Sequence, residues 1–171
     1  MVTLLLLLSQ ADVDMVGADG RTAMTTDAQN GFGQLVQLLA DGGGSKDKGD
    51  DGGRSPIWWA AAKEHGDVVK LLIDMGADKD LAANSGWTPL YYAAHYGHRD
   101  VVHMLILSGA DKDKAANDGW TPLCIAAYYG QRDVVEVLLA NGADKKKAAN
   151  NGKTPWDVAR DEDIRRMLQS E

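Results

Sequence analysis

Four histidines (His65, His95, His98 and His103) and a single cysteine, Cys124, are the side chains of this chain best suited to chemistry. A thiolate nucleophile needs a base within hydrogen-bond reach and a third group to orient that base. His95 is the candidate base, because the sequence pattern places it and Cys124 on neighbouring elements, but nothing else in the chain supplies the rest of such a site. No histidine has a metal partner at ligand spacing, and Cys124 has no CxxC mate. Asp47, Asp50 and Asp51 crowd a glycine-rich stretch, yet they lack the alternating ligands and closing glutamate of a calcium loop. Asp161 and Asp163 belong to a charged C-terminal segment and read as solvated. There is no Walker A, GxGxxG, GxSxG or HExxH pattern. The expectation is no catalytic residue, no cofactor and no metal: a protein that is not an enzyme.

Composition narrows the class further. The chain has 171 residues, 44% hydrophobic and 25% charged, which suits one globular domain or a short repeat array. Its net charge is -7, and residues 1–53 hold 3 basic against 8 acidic side chains. Phosphate binding depends on clustered Lys and Arg, so nucleic acid is not an expected partner. One cysteine allows no internal disulfide and fits a reducing compartment, the cytoplasm or the nucleus. The opening run MVTLLLLL is too short for a membrane span and lacks the basic segment of a signal peptide, so no membrane partner is expected.

The elements that position these residues follow from one period. Thr22, Ser55, Thr88, Thr121 and Thr154 are spaced 33 residues apart. Gly20, Gly53, Gly86, Gly119 and Gly152 keep the same step, as do Pro56, Pro89, Pro122 and Pro155. A hydroxyl before a proline is a helix start: the hydroxyl accepts from an orphan N–H, and proline at the first position loses no hydrogen bond. After Thr88 the spacing predicts a short helix to Tyr96, a turn at Gly97, and a second helix from Asp100 with Val101, Met104 and Leu105 on one stripe. Gly109 stands where a left-handed C-cap is wanted.

The motifs DGWTPL, AAxYG, RDVV and GAD at this period resemble ankyrin repeats over essentially the whole chain. The resemblance implies an all-α solenoid of stacked helix-turn-helix units joined by hairpin-like loops, in which no unit buries its apolar face alone. It divides a single domain, residues 1–171, into repeats 19–51, 52–84, 85–117 and 118–150, with a C-terminal cap repeat at 151–171. Leu5, Leu6 and Asp12 lie 66 residues before Leu71, Leu72 and Asp78, so residues 1–18 read as a truncated repeat, a second helix without its first. That apolar helix would need cover, either from missing repeats or through self-association at the N-terminal end. In the cap, Ile164, Met167 and Leu168 form an apolar stripe.

Departures from the pattern are informative. Glu64 stands where later repeats have Gly97 and Gly130, so a rebuilt turn around Gly66 is expected. Asp27 replaces the alanine of Ala60, Ala93 and Ala126, a position expected to face a neighbouring helix. The stretch from Asp41 to Gly53 is rich in glycine and charge and should be mobile. Lys79, Lys112 and Lys145, next to Asp78, Asp111 and Asp144, read as a solvated loop face.

Repetition also turns columns of residues into rows. One row is Arg54, Trp87, Trp120 and Lys153; a second is Lys63, Tyr96 and Tyr129; His95 and Tyr128 stand beside it. The resemblance places these loop-tip and first-helix columns on the concave face, where partners of the family dock. Exposed Trp, Tyr and Arg are the types enriched at interface hot spots. The competing view is that the two tryptophans lie flat and cover neighbouring backbone. Trp59 and Tyr92 align with Ile125 and read as core. The expected function is a protein–protein interaction module whose partner segment carries carboxylates and apolar anchors. The alternative is a regulatory or targeting piece of a larger multidomain protein.

Overall fold

The computed structural model describes residues 12–169. The apolar run at residues 1–8, expected to form a helix, lies outside them. Among the described residues there are ten helices and no strand. Five first helices are α1 (Ala23–Gln29), α3 (Pro56–Ala62), α5 (Pro89–Tyr96), α7 (Pro122–Tyr129) and α9 (Pro155–Val158). Five second helices are α2 (Gly33–Asp41), α4 (Gly66–Asp74), α6 (Arg99–Leu107), α8 (Arg132–Ala140) and α10 (Glu162–Gln169).

The 33-residue hydroxyls do what their spacing predicts. Thr22, Ser55, Thr88, Thr121 and Thr154 each accept from the backbone N–H three residues on, at 3.1–3.4 Å. Losing one such cap costs about 1 kcal/mol. First helices then pack in one layer and second helices in another, each against its counterparts before and after. Met24, Ile57, Leu90 and Leu123 fill the space between the layers and are fully buried. Leu72, Leu105 and Leu138 meet them from the second helices. The alanine pairs Ala60–Ala61, Ala93–Ala94 and Ala126–Ala127 have no exposed surface, which lets neighbouring first helices approach closely.

Polar ladders run along the same axis. His65 and His98 bond through Nε2 to the carbonyls of Gln29 and Ala62, at 3.0 and 3.2 Å. Gln131 takes over in the next repeat, donating to the His95 carbonyl at 3.0 Å. Asp14, Asp47, Asp80 and Asp113 accept from the backbone N–H groups of Ser45, Asp78, Asp111 and Asp144, at 2.8–3.0 Å. Asn84, Asn117 and Asn150 donate to carbonyls 33 residues earlier.

These ladders correct two expectations. The stretch from Asp41 to Gly53 is not a slack loop. Ser45 is held by Asp14, Asp47 holds Asp78, and the Lys48 carbonyl accepts from Thr25. The Asp78/Asp111/Asp144 column is not simply solvated, because its backbone N–H groups are rungs of the aspartate ladder and its carboxylates close the local turns. Within the described part of the expected N-terminal half repeat, Asp14 joins this ladder as its counterparts do. In α10, Ile164 and Leu168 are buried, and Arg132 at the start of α8 pairs with Asp161 and Asp163.

The turn at Glu64 is not rebuilt. Glu64 takes φ 63°, the left-handed conformation that Gly97 and Gly130 adopt at 81° and 74°. Its carboxylate lies 3.4 Å from His98 Nδ1, a mostly exposed contact that offsets little of the strain. Asp27 is half-buried on α1, which packs against α2 and α3. Among the described residues no first helix stacks on its other side, and burial raises the Asp27 carboxyl above the usual carboxylate range.

Two stability predictions follow from these sites. Glu64→Gly should stabilise the fold by about 1 kcal/mol, raising Tm by roughly 2–4 °C in thermal denaturation; an unchanged or lower Tm would refute the strain. Asp27→Ala should also raise Tm at pH 7. A raised folded pKa means the native state binds that proton more tightly than the unfolded chain, so the ionised form weakens the fold and acid relieves it. The gain from Asp27→Ala should therefore shrink as pH falls toward 4, and a pH-independent gain would count against ionisation as the cause.

Candidate functional site

The loop-tip row is built by one repeated backbone contact. The carbonyls of Arg21, Arg54, Trp87, Trp120 and Lys153 each accept from the N–H four residues earlier, at 2.9–3.1 Å. Each side chain thus leaves the chain at the same place, just before the helix cap. Arg21 fits the 33-residue step and was open to detection from the sequence; attention to the tryptophans hid it.

The first-helix columns carry a continuous run of rings. Trp87 stacks on Tyr91 at 5.7 Å with planes 9° apart, and touches Tyr92 at 5.5 Å. Tyr92 meets His95 at 5.5 Å and Tyr96 at 5.2 Å. His95 reaches across to the next repeat, 4.3 Å from Tyr129. Tyr129 meets Tyr128 at 5.1 Å, and Tyr128 meets Trp120 at 5.4 Å. Such pairs add about 0.5–1.5 kcal/mol beyond simple burial. The run is therefore braced before any ligand arrives.

Exposure differs along it. Tyr96 and Tyr129 are 51% and 53% exposed. Trp87, Trp120, His95 and Tyr128 are half-buried against the core. The view of the tryptophans as packing residues is thus partly right: the Trp87 carbonyl accepts from the Trp58 indole at 3.0 Å. Tyr92 corrects the expectation of a core residue. It is half-buried and sits at the centre of the ring network, whereas Trp58 and Trp59 are buried. Burial and the adjacent Tyr96 push the Tyr92 hydroxyl up to about 12, so it keeps its proton in any physiological buffer.

Arg54 is not the free cation its column suggested. Asp50 occupies the position of Ala83, Ala116 and Ala149, and its carboxylate is fully buried. It accepts from Arg54 Nε at 2.9 Å, from the Trp59 indole at 3.1 Å, and from the N–H groups of Gly52 and Arg54 at 3.0 Å. Arg21 approaches it at 3.7 Å, and both guanidiniums lie over the Trp59 ring, at 4.3 and 4.5 Å. Burial alone would raise the Asp50 pKa, but the hydrogen bonds from Arg54 and Trp59 outweigh it and hold the carboxyl below its usual range. The cationic ends of the site lie elsewhere. Lys63 and Lys153 are exposed. Arg160, which sequence reasoning missed, lies 3.9 Å over the Tyr128 ring and donates to its hydroxyl.

The candidate catalytic pair does not form. His95 is occupied by tyrosine rings, and burial lowers its pKa. Cys124 is fully buried, and burial pushes its thiol up. Asp47, Asp50 and Asp51 serve separate structural contacts, and no three His, Cys, Asp or Glu side chains among the described residues could hold a metal ion. No described helix is long and apolar enough to cross a membrane.

A comparison with curated proteins finds none that matches. The family model described as ankyrin repeats (3 copies) matches residues 1–83, 28–116, 76–149 and 105–168. Proteins built of these repeats are generally protein–protein interaction modules and typically not enzymes. With its 33-residue period, paired helix layers and inter-repeat ladders, this chain belongs to the ankyrin repeat family.

Proposed function

We propose that the chain binds a partner protein through its concave loop-tip and first-helix face. Arg54, Lys63, Trp87, His95, Tyr96, Trp120, Tyr128, Tyr129 and Lys153 form or border that face, with Arg21, Tyr92 and Arg160 added. Repeats 19–51 to 118–150 are its structural units, flanked by the partial repeat at 1–18 and the cap at 151–171. The single observation that carries the proposal is the half-exposure of Tyr96 and Tyr129 at equivalent places in adjacent repeats. The core does not need these rings, and water gains nothing from them. Because the rings already brace one another, binding orders little that is not ordered beforehand. The earlier expectation of a strongly acidic partner is reduced, since Asp50 already neutralises Arg54. A single buried cysteine favours a reducing compartment.

The test is capture from a cell lysate followed by crosslink mapping. A Trp87→Ala/Trp120→Ala/Tyr129→Ala variant, shown folded by circular dichroism, should lose at least about tenfold of the captured protein. Equal capture by parent and variant, or crosslinks confined to second helices, would sink the proposal. The non-enzymatic reading is checked at Cys124. Native protein should alkylate with iodoacetamide at least about tenfold more slowly than the denatured chain. Fast native labelling would revive a thiolate site.

A further inference from the structure

We infer that the partner segment on the aromatic face is a polyproline II strand running along the solenoid axis, with acidic residues at its two ends. The inference rests on the proposed binding face and names what binds there.

Three observations carry it. The first is period. The first helices present one set of rings per repeat, and packed helices lie about 9–10 Å apart. A polyproline II strand turns once every three residues and rises about 9 Å in doing so. Every third residue of such a strand meets an equivalent ring column, first Tyr96 with His95, then Tyr129 with Tyr128. Proline rings lie flat on such aromatic surfaces, as in other proline-rich recognition.

The second is spare hydrogen-bond donors. The indole N–H groups of Trp58 and Trp59 are bonded within the protein, but those of Trp87 and Trp120 are not, and they are not buried. The Tyr92 hydroxyl keeps its proton and donates too. A polyproline II strand makes no internal hydrogen bonds, so its carbonyls need such donors. An α-helix has a comparable repeat, about 10.5 Å over seven residues, but its carbonyls are already satisfied. A β-strand ligand needs a sheet edge, and the described residues contain no strand.

The third is charge. Lys63 lies at one end of the ring network and Lys153 and Arg160 at the other, and none of the three forms an ion pair with a described residue. Between these ends the rings are neutral, His95 included, because burial lowers its pKa. A neutral strand with terminal carboxylates complements this arrangement.

The probe is a fluorescein-labelled peptide of four Pro-Ala-Pro triplets with one aspartate at each end, about 37 Å long between them. Its binding to the full chain is followed by fluorescence anisotropy. A glycine-for-proline version and a helix-forming alanine–leucine peptide with the same terminal aspartates are the comparisons. The proline peptide should bind about tenfold or more tightly than either. Tyr129→Ala and Trp120→Ala should each weaken it about tenfold, and Leu107→Ala, an exposed second-helix site, should leave it unchanged. Replacing both terminal aspartates by asparagine should remove most of the salt dependence. Tighter binding of the helical peptide, equal binding of the glycine peptide, or no binding of the proline peptide at millimolar concentration would overturn the inference. If lysate capture still depends on Trp87, Trp120 and Tyr129 in that event, the face is correct and only the partner's conformation is wrong.

Discussion

No pair of helices in this chain can bury its own apolar face. Leu90 or Leu123 is shielded only when helices of its own repeat and of the neighbours close around it. That constraint makes the stack, rather than the single repeat, the folding unit. It also explains why the polar ladders run between repeats. Packing one repeat on another removes backbone N–H and carbonyl groups from water, and each needs a partner on the facing repeat. His65, His98 and Gln131 meet the carbonyls at first-helix ends, and Asp14, Asp47, Asp80 and Asp113 meet the N–H groups of the loops.

The ladders tolerate substitution where chemistry allows. Gln131 replaces a histidine because an amide N–H reaches the same carbonyl. Asp50 replaces an alanine at much greater risk, since a buried carboxylate without partners would destabilise the loop. Two backbone donors, a guanidinium and an indole surround it, and a second guanidinium stands nearby. The repeat that looked degraded in sequence is thus joined to its neighbour by its own polar cluster. The same cluster removes Arg54 from the set of cations available to a ligand.

A rigid stack leaves its first-helix face free of structural duty. The rings there pack edge to face and in tilted pairs, so their positions are settled before binding. Buried Ala93, Ala94, Ala126 and Ala127 hold the helices close, and His95 can therefore span from one repeat to the ring of the next. Recognition depends on this spacing as much as on the residues themselves.

The sequence by itself determined the period, the helix caps, the apolar stripes and the family, because each depends on local spacing within 33 residues. It also exposed the rows of Trp87 with Trp120 and Tyr96 with Tyr129. It did not reveal that Glu64 keeps a glycine's conformation, since a sequence cannot say whether strain is relieved or tolerated. Nor did it reveal that Tyr92 belongs to the surface network, that Arg160 covers Tyr128, or that Arg54 is consumed by Asp50. Those facts depend on which side chains meet across repeats, where each orientation is set by its neighbours' volume and charge. Only the tertiary structure decides such contacts, because residues 33 apart become adjacent only after the stack has closed.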